Sequence, residues 1–262
     1  MNKTRKLIEC ALLIAIATVL SLIKLVDLPY GGSITAASMV PMVIIAYRHG
    51  LGWGIGSGVV YGIIQQLTGL NTLSYATTWM AVVAIILLDY VVAFAVTGLG
   101  GIFKGRLNGG GLEVAIGCFI VCFLRYLCHV LSGATVWAGI SIPTAAALSY
   151  SFVYNATYMI PEMIATVVAG YYIASTVDFD KNMPVRKNAQ KGSAYSLLSG
   201  LFIVVLVIFD TVALFSVLQN EKTGEFAISN IASAPWTLMA IITAVCLISA
   251  IVLRIISTKK QK

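Results

Sequence analysis

Long apolar runs recur along the whole chain, separated by short polar segments that hold most of its charged residues. A helix needs about 20 mostly apolar residues to cross the hydrocarbon core of a bilayer. A membrane β-barrel would instead show short segments of alternating hydrophobicity. The runs predict eight spans, at residues 7–23, 34–47, 51–70, 77–98, 112–131, 145–175, 195–218 and 235–256. The second run is short and contains Pro41, which predicts a kinked or partly re-entrant segment.

The composition agrees with this prediction. Only 10% of the residues are charged, whereas a typical soluble domain has about 25%. Hydrophobic residues make up 59% of the chain, so a disordered protein or a nucleic-acid-binding domain is not expected despite the net charge of +7. We therefore predict an all-α polytopic membrane protein whose surroundings are the lipid bilayer.

The basic residues predict the orientation. With the N-terminus in the cytoplasm, every lysine and arginine except Lys24, Arg125 and Lys222 falls in a predicted cytoplasmic segment. This asymmetry is the one that the positive-inside rule describes. It predicts a multi-pass protein of the cell membrane with both termini cytoplasmic. The first run also resembles a signal peptide, but it is long for a signal core, and its removal would break the alternation.

A change in composition divides the chain. Residues 177–194 are polar and basic and include Pro184 and Gly192, which is typical of a linker on the cytoplasmic side. The predicted organisation is a six-span unit at residues 1–176, the linker at 177–194 and a C-terminal two-span hairpin at 195–262.

Ionisable residues within the predicted spans are candidates for function, because a charge inside the membrane is costly. Asp89 lies in the fourth span with no basic residue within four positions. An unpaired carboxylate there is either protonated or faces a cavity that holds a cation. Arg125 in the fifth span needs an anion, and both Asp89 and Glu162 are possible partners. Asp210 in the seventh span has no evident partner.

The outer half of the predicted bundle also collects polar and aromatic side chains. They are His129, Trp137, Tyr150, Tyr154, Asn155 and Tyr158. Together with Asp89 they suit a small, flat, cationic ligand, because aromatic faces attract cations and the amide and imidazole can pair with ring donors and acceptors. The alternative is that the aromatic residues anchor the helices at the membrane interface and that His129 is merely hydrogen-bonded.

No sequence motif indicates catalysis. The chain contains no G-x-x-x-x-G-K-[ST] phosphate loop and no H-E-x-x-H or G-x-S-x-G motif, so we expect neither ATP hydrolysis nor another enzymatic activity. An intramembrane enzyme would need a nucleophile near His129, for which Ser132 and Ser149 are available. Cysteines 118, 122 and 128 match no zinc-binding spacing with His129, so no metal or other cofactor is expected.

Two faces of small residues predict close helix packing. Glycines recur every four residues along the third span, at Gly50, Gly54, Gly58 and Gly62, which favours packing within the molecule. Ala11 and Ala15 form a smaller face on the first span.

Five stretches of the sequence resemble one known family. They are LPYGGSITAASMVP at 28–41, YRHG at 47–50, LDY at 88–90, RYLCH at 125–129 and YSFVYN at 150–155. In this order they are similar to the thiamine-specific S components, the substrate-binding membrane subunits of energy-coupling factor (ECF) transporters. The resemblance covers residues 5–176, which is the predicted six-span unit.

The resemblance implies a six-helix S-component-like bundle that captures thiamine from outside, with the C-terminal hairpin added to it. Such a subunit docks onto a separate ECF transmembrane coupling protein that carries two ATPase subunits. The face at Ala11 and Ala15 resembles the docking surface of the family. The ligand contacts of the family correspond here to Asp89, Tyr90, His129, Trp137, Tyr150 and Asn155.

The sequence departs from the family pattern in three places. Asp89 stands where the family usually has the longer glutamate. A tryptophan expected in the first outer loop is absent, and Tyr30 is a candidate substitute. The hairpin at 195–262 exceeds the usual six spans. A binding subunit of the same architecture for another vitamin or for a thiamine precursor is therefore an open alternative.

Overall fold

The computed structural model describes residues 2–27, 32–107, 109–139, 144–187, 193–218 and 228–261. These residues are mostly helical, which confirms the predicted all-α class. The chain divides into two compact units, Met1–Lys187 and Asn188–Lys262. The boundary between the units lies inside the predicted linker.

The first unit is built from helices and two small antiparallel strand pairs, β1 with β2 and β3 with β4. Its elements are α1 (Lys3–Leu22), β1 (Lys24–Asp27), β2 (Ser33–Thr35), α2 (Val40–His49), α3 (Leu51–Thr68), α4 (Trp79–Ala84), α5 (Ala93–Ala95), α6 (Gly110–Gly139), α7 (Thr144–Thr176), β3 (Val177–Asp178) and β4 (Val185–Arg186). Short 3₁₀ segments follow α3 at Leu70–Tyr75 and α5 at Val96–Gly101. A π-helix at Ile85–Val92 joins α4 to α5.

Four described helices are long and apolar enough to cross a membrane. They are Trp79–Gly101, Gly110–Val136, Ala194–Leu218 and Trp236–Lys260. The first of these is one helical stretch that runs through α4, the π-helix, α5 and the 3₁₀ segment. Helices α1, α3 and α7 occupy the predicted positions, and their crossing of the membrane stays a prediction.

The second predicted span differs from its prediction. Residues 33–35 form a strand, and the helix begins only at Val40. Its ten residues rise about 15 Å, half of the roughly 30 Å hydrocarbon thickness, so α2 does not cross by itself. Pro41 lies in the first turn, where a missing N–H group costs nothing, so it starts the helix and does not kink it. Residues 40–47 are all buried, which places α2 in the centre of the core.

Glycines of α3 pack against the stretch from Tyr90 to Gly98. We call Gly54, Gly58 and Gly62 the glycine seam. A Cβ atom on Gly54 would lie 2.6 Å from the Cα atom of Gly98, and one on Gly58 or Gly62 would overlap the carbonyl oxygen of Phe94 or Tyr90. The predicted packing within the molecule is confirmed for these three. A Cβ atom on Gly50 would meet nothing within 4 Å, and Gly50 instead adopts φ +87° between α2 and α3.

Helices α6 and α7 also approach each other through small residues. A Cβ atom on Gly170 of α7 would lie 2.7 Å from the sulfur of Cys118 on α6. At the other end of the pair, a Cβ atom on Gly133 of α6 would overlap the hydroxyl of Ser151 on α7. This close packing fixes which residues of the two helices face the interior of the unit.

The first part of the predicted linker folds onto the first unit. The turn between β3 and β4 receives Arg48, whose guanidinium donates to the backbone carbonyl of Phe179 and also pairs with Glu9 of α1. Lys104 forms an ion pair with Asp180 at 3.0 Å. These contacts connect α1, α2 and the β3–β4 turn at one end of the unit.

The second unit contains α8 (Ser193–Leu218), a 3₁₀ segment (Ile228–Ser233) and α9 (Trp236–Gln261), and its two long helices pack on each other. The hydroxyl of Ser199 donates to the carbonyl of Ala250 at 2.8 Å. Thr243 donates to one carboxylate oxygen of Asp210 at 3.1 Å, so the acid that had no evident partner in the sequence has one across the helix pair.

Candidate functional site

The first unit contains a partly open cavity of about 320 Å³. Its wall is formed by the end of α1, the β1–β2 pair, α3, the π-helix, α6 and α7. The volume lies at the lower end of the range of about 300–1,000 Å³ that is common for small-molecule sites. Asp89, Tyr90, His129 and Asn155, four of the six predicted ligand residues, line this cavity.

Asp89 reaches the cavity from the π-helix, a rare conformation that is frequent at functional sites. Its side chain is 22% exposed. One carboxylate oxygen lies 2.8 Å from Nδ1 of His129, and the other accepts a hydrogen bond of 2.9 Å from the hydroxyl of Ser132. Asp89 thus faces the cavity, one of the two alternatives for an unpaired carboxylate, but it has partners on both oxygens, and neither of them is Arg125.

The contact with Asp89 determines which ring nitrogen of His129 carries the proton. A carboxylate only accepts hydrogen bonds, so Nδ1 of His129 carries the proton that is shared with Asp89. In the neutral ring Nε2 then keeps its lone pair as an acceptor. With the imidazole neutral and the carboxylate ionised, this pair holds one negative charge at the cavity wall.

Tyr90 and Asn155 occupy other parts of the wall. The Tyr90 hydroxyl lies 3.1 Å from that of Thr72. The amide nitrogen of Asn155 donates to the carbonyl of Ser151 at 2.8 Å, and its amide oxygen accepts a hydrogen bond from Tyr158 at 2.5 Å. These contacts hold the Asn155 amide in one orientation.

The remaining predicted ligand residues are not brought to the described cavity wall. Tyr150 is half-buried on α7 and does not line the cavity. Trp137 lies near the end of α6, but its side chain is outside the described part of the chain. Tyr30, the candidate substitute for the expected tryptophan, also lies outside the described residues.

A second polar pair lines the cavity at Arg125 and Glu162, which are 7% and 4% exposed. A distance of 4.0 Å separates Nη1 of Arg125 from Oε2 of Glu162, and the guanidinium lies 4.6 Å from the centre of the Phe94 ring. Of the two partners that the sequence left open for Arg125, the structure thus selects Glu162. Oε1 of Glu162 accepts a hydrogen bond from Thr35 on β2 at 2.8 Å.

Thr35 is a cavity residue that the sequence did not single out. It stood inside an apolar run, and its partner Glu162 is 127 positions away. Gln65 of α3 is another, and its amide donates to the hydroxyl of Ser21 at 2.9 Å. The sequence signal for Gln65 was its polar side chain near the end of the otherwise mostly apolar α3.

The other predicted features lie outside the cavity. Ala11 and Ala15 are exposed on α1, on the side of the helix away from the buried Cys10, Ile14 and Ala17. Within the described residues, no three His, Cys, Asp or Glu side chains are arranged to hold a metal ion.

Comparisons with known proteins agree with the resemblance seen in the sequence. The family model for thiamine transporter proteins (Thia_YuaJ) matches residues 7–179. The thiamine transporter ThiT of Bacillus subtilis (strain 168) is 31% identical over 182 residues, which cover 64% of this chain and 91% of that relative. The ThiT of Lacticaseibacillus paracasei is 24% identical over 178 residues, covering 62% of this chain and 83% of that relative. Since the family match includes the helices that form the cavity, the chain belongs to the thiamine transporter protein family.

Proposed function

We propose that this protein captures thiamine with high affinity and takes it up as the substrate-binding subunit of an ECF-type transporter. The observation that carries the proposal is the Asp89–His129 pair on the wall of the cavity. Thiamine bears a permanent positive charge on its thiazolium ring, and a negative pair at the wall balances it. Because Arg125 pairs with Glu162, the charge of Asp89 stays available to the ligand.

The roles within the site follow from the geometry. In this proposal Asp89 balances the thiazolium charge. His129 contacts the ligand either through Nε2, which accepts a hydrogen bond, or through the face of its imidazole ring. The ring of Tyr90 supplies a further aromatic face, since it lines the same cavity. Asn155 holds the wall between α6 and α7. Trp137 and Tyr150 join the set on the strength of the family resemblance.

The transport cycle needs partner subunits in this proposal. A transmembrane coupling protein docks on the face at Ala11 and Ala15, which is exposed and made of small residues. Two ATPase subunits bound to that protein hydrolyse ATP. Residues 1–176 form the binding unit, 177–194 connect it to the hairpin at 195–262, and both termini lie in the cytoplasm.

One observation argues against an intramembrane enzyme. A serine nucleophile is activated when its hydroxyl donates to a basic histidine. Here the hydroxyl of Ser132 donates to Asp89, and His129 contacts the other oxygen of the same carboxylate. The three side chains are adjacent, but Ser132 donates to Asp89 and not to His129, so the histidine does not activate the serine.

The test is the substitution Asp89→Asn, with thiamine and a neutral thiamine analogue of the same shape titrated calorimetrically into purified protein. Asparagine keeps the size of the side chain but removes its charge. Loss of one partner of a buried charge pair costs about 2–5 kcal/mol, so thiamine affinity should fall roughly 30-fold or more. The neutral analogue should lose much less.

Asp180→Asn is the matched control. Asp180 is exposed in the β3–β4 turn, away from the cavity lining, so this variant should bind both ligands as the wild type does. Equal losses for thiamine and the neutral analogue in Asp89→Asn would show that Asp89 only stabilises the empty protein. Absence of thiamine binding to the wild type would refute the proposal as a whole.

A further inference from the structure

The end of the second unit at which α9 finishes is strongly basic. The sequence there contains five basic residues, namely Lys191, Arg254, Lys259, Lys260 and Lys262. No aspartate or glutamate occurs in residues 188–209 or 226–262. The acid of α8, Asp210, lies about 21 Å further along that helix than Ser196, at about 1.5 Å per residue. The helix pair therefore supplies no acidic side chain that could balance the charge at this end.

Lysines around the β3–β4 turn of the first unit are balanced differently. Lys104 pairs with Asp180 at 3.0 Å, and Lys181 lies 4.0 Å from Asp178. Each of these lysines thus has an acidic partner within its own unit, so it has little charge left to attract another molecule. The surplus of positive charge at the end of the second unit is consequently not shared by every basic residue of the chain.

Two of the basic side chains are held between α8 and α9. Nη1 of Arg254 donates to the hydroxyl of Ser196 at 2.5 Å. Nζ of Lys260 donates to the hydroxyl of Tyr195 at 2.9 Å and lies 4.4 Å from the centre of the same ring. Both hydroxyls belong to the first turn of α8, so these contacts cross the helix pair. A hydroxyl positions a cation without neutralising it. We call Tyr195, Ser196, Arg254, Lys259 and Lys260 the basic end.

Exposed apolar side chains lie next to the basic end. They are Leu197 and Leu201 of α8 and Ile251 and Ile255 of α9. All of them are within about two helical turns of the cations. A phospholipid combines the same two chemistries, because its phosphodiester group is joined to apolar acyl chains. A soluble anion such as free phosphate would use the cations alone. The surface as a whole therefore fits a lipid better than a soluble anion.

We propose that the basic end binds the headgroup of an anionic phospholipid, whose acyl chains lie along the exposed apolar side chains of α8 and α9. Clusters of about four to eight Lys and Arg residues next to a membrane-spanning helix are typical of such binding. Arg254 and Lys260 contact the phosphate, and the neighbouring lysines add attraction. This inference does not depend on the proposed function. The basic end lies beyond residue 179, where the family match finishes, and outside the cavity lining.

The experiment is a lipid titration of the purified full chain in detergent, followed by native mass spectrometry. The probes are phosphatidylglycerol and phosphatidylcholine with the same acyl chains. We expect the wild type to bind phosphatidylglycerol at least about tenfold more tightly, because its headgroup carries a net negative charge and that of phosphatidylcholine carries none. Inorganic phosphate at the same concentration should not displace the lipid. Equal binding of the two lipids, or displacement by phosphate, would overturn the inference.

The double variant Arg254→Gln with Lys260→Gln tests the assigned residues. Each basic residue near an anionic membrane surface contributes about fivefold in affinity, so this variant should bind phosphatidylglycerol about 25-fold more weakly. Arg254→Lys with Lys260→Arg keeps both charges and should bind within about threefold of the wild type. The matched control, Lys104→Gln with Lys181→Gln, removes two charges elsewhere and should bind as the wild type does. An unchanged affinity of the first variant, or an equal loss in either of the other two, would refute the assignment.

Discussion

The substitution Gly62→Ala tests whether the glycine seam positions the binding wall. The new Cβ atom would overlap the carbonyl oxygen of Tyr90 and lie 3.1 Å from its carbonyl carbon and 3.2 Å from Cβ of Phe94. Ordinary contacts between carbon atoms are about 3.5–4.0 Å, so α3 and the π-helix must move apart. Because Tyr90 follows Asp89 in the π-helix, this movement shifts the carboxylate.

The structure sets the size of the expected effect. Overpacking a well-packed contact costs about 1–3 kcal/mol. At about 2–4 °C per kcal/mol for a chain of this size, the melting temperature should fall by about 2–12 °C. Thiamine affinity should fall about tenfold, a change of about 1.4 kcal/mol. Thermal unfolding in detergent and calorimetric titration measure the two quantities.

Gly56→Ala is the control, because Gly56 lies on the same helix with no atom within 4 Å of its Cβ position. It should match the wild type or gain slightly, since alanine favours a helix over glycine by about 1 kcal/mol. If Gly62→Ala melts and binds as Gly56→Ala does, the seam does not hold the binding wall and this reasoning is wrong.

Three further predictions concern the rest of the chain. Ala11→Trp and Ala15→Trp should block thiamine uptake by cells while purified protein still binds, because a bulky ring prevents close helix approach; Leu12→Trp, at a position already bulky and exposed, should transport normally. Equal loss of binding would place the Ala11 and Ala15 face inside the fold. Truncation after Lys187 should change the Kd less than about tenfold, or 1.4 kcal/mol, and a larger change would make the hairpin part of the site. A phosphatase fused at Lys262 should be inactive and a fluorescent protein bright, and an active phosphatase would reverse the proposed orientation.

The sequence predicted the helices well because their signal is local. Apolar runs of sufficient length placed α1, α3 and α6 to α9, and the spacing of four between glycines predicted the seam on α3. The short strands β1 and β2 were missed, because three or four residues next to a long apolar run carry too little pattern. Because the apolar run at 34–47 begins before the helix does, it did not reveal that α2 starts only at Val40.

The site was predictable in its residues but not in its pairings. The charge of Asp89 and the ring of His129 stood out, whereas their contact depends on the registers of two helices that are 40 positions apart in the chain. The π-helix around Asp89 has no glycine or proline to signal it. The choice of Glu162 as the partner of Arg125 likewise depends on how α6 and α7 pack.

The glycine seam also has a mechanical consequence. Along it the backbone of α3 lies against the backbone of the helix that carries Asp89, and the side chain of Thr97 also packs there, close to Gly58. The two helices are therefore expected to move together as one rigid body, which fixes the position of Asp89 relative to α3. Adjustment to an arriving ligand must then come from the facing side of the cavity, where Thr35 connects to Glu162 by a single hydrogen bond. The ligand thus binds between a rigid side of the cavity, which carries Asp89, and a more adaptable side, which carries Thr35 and Glu162.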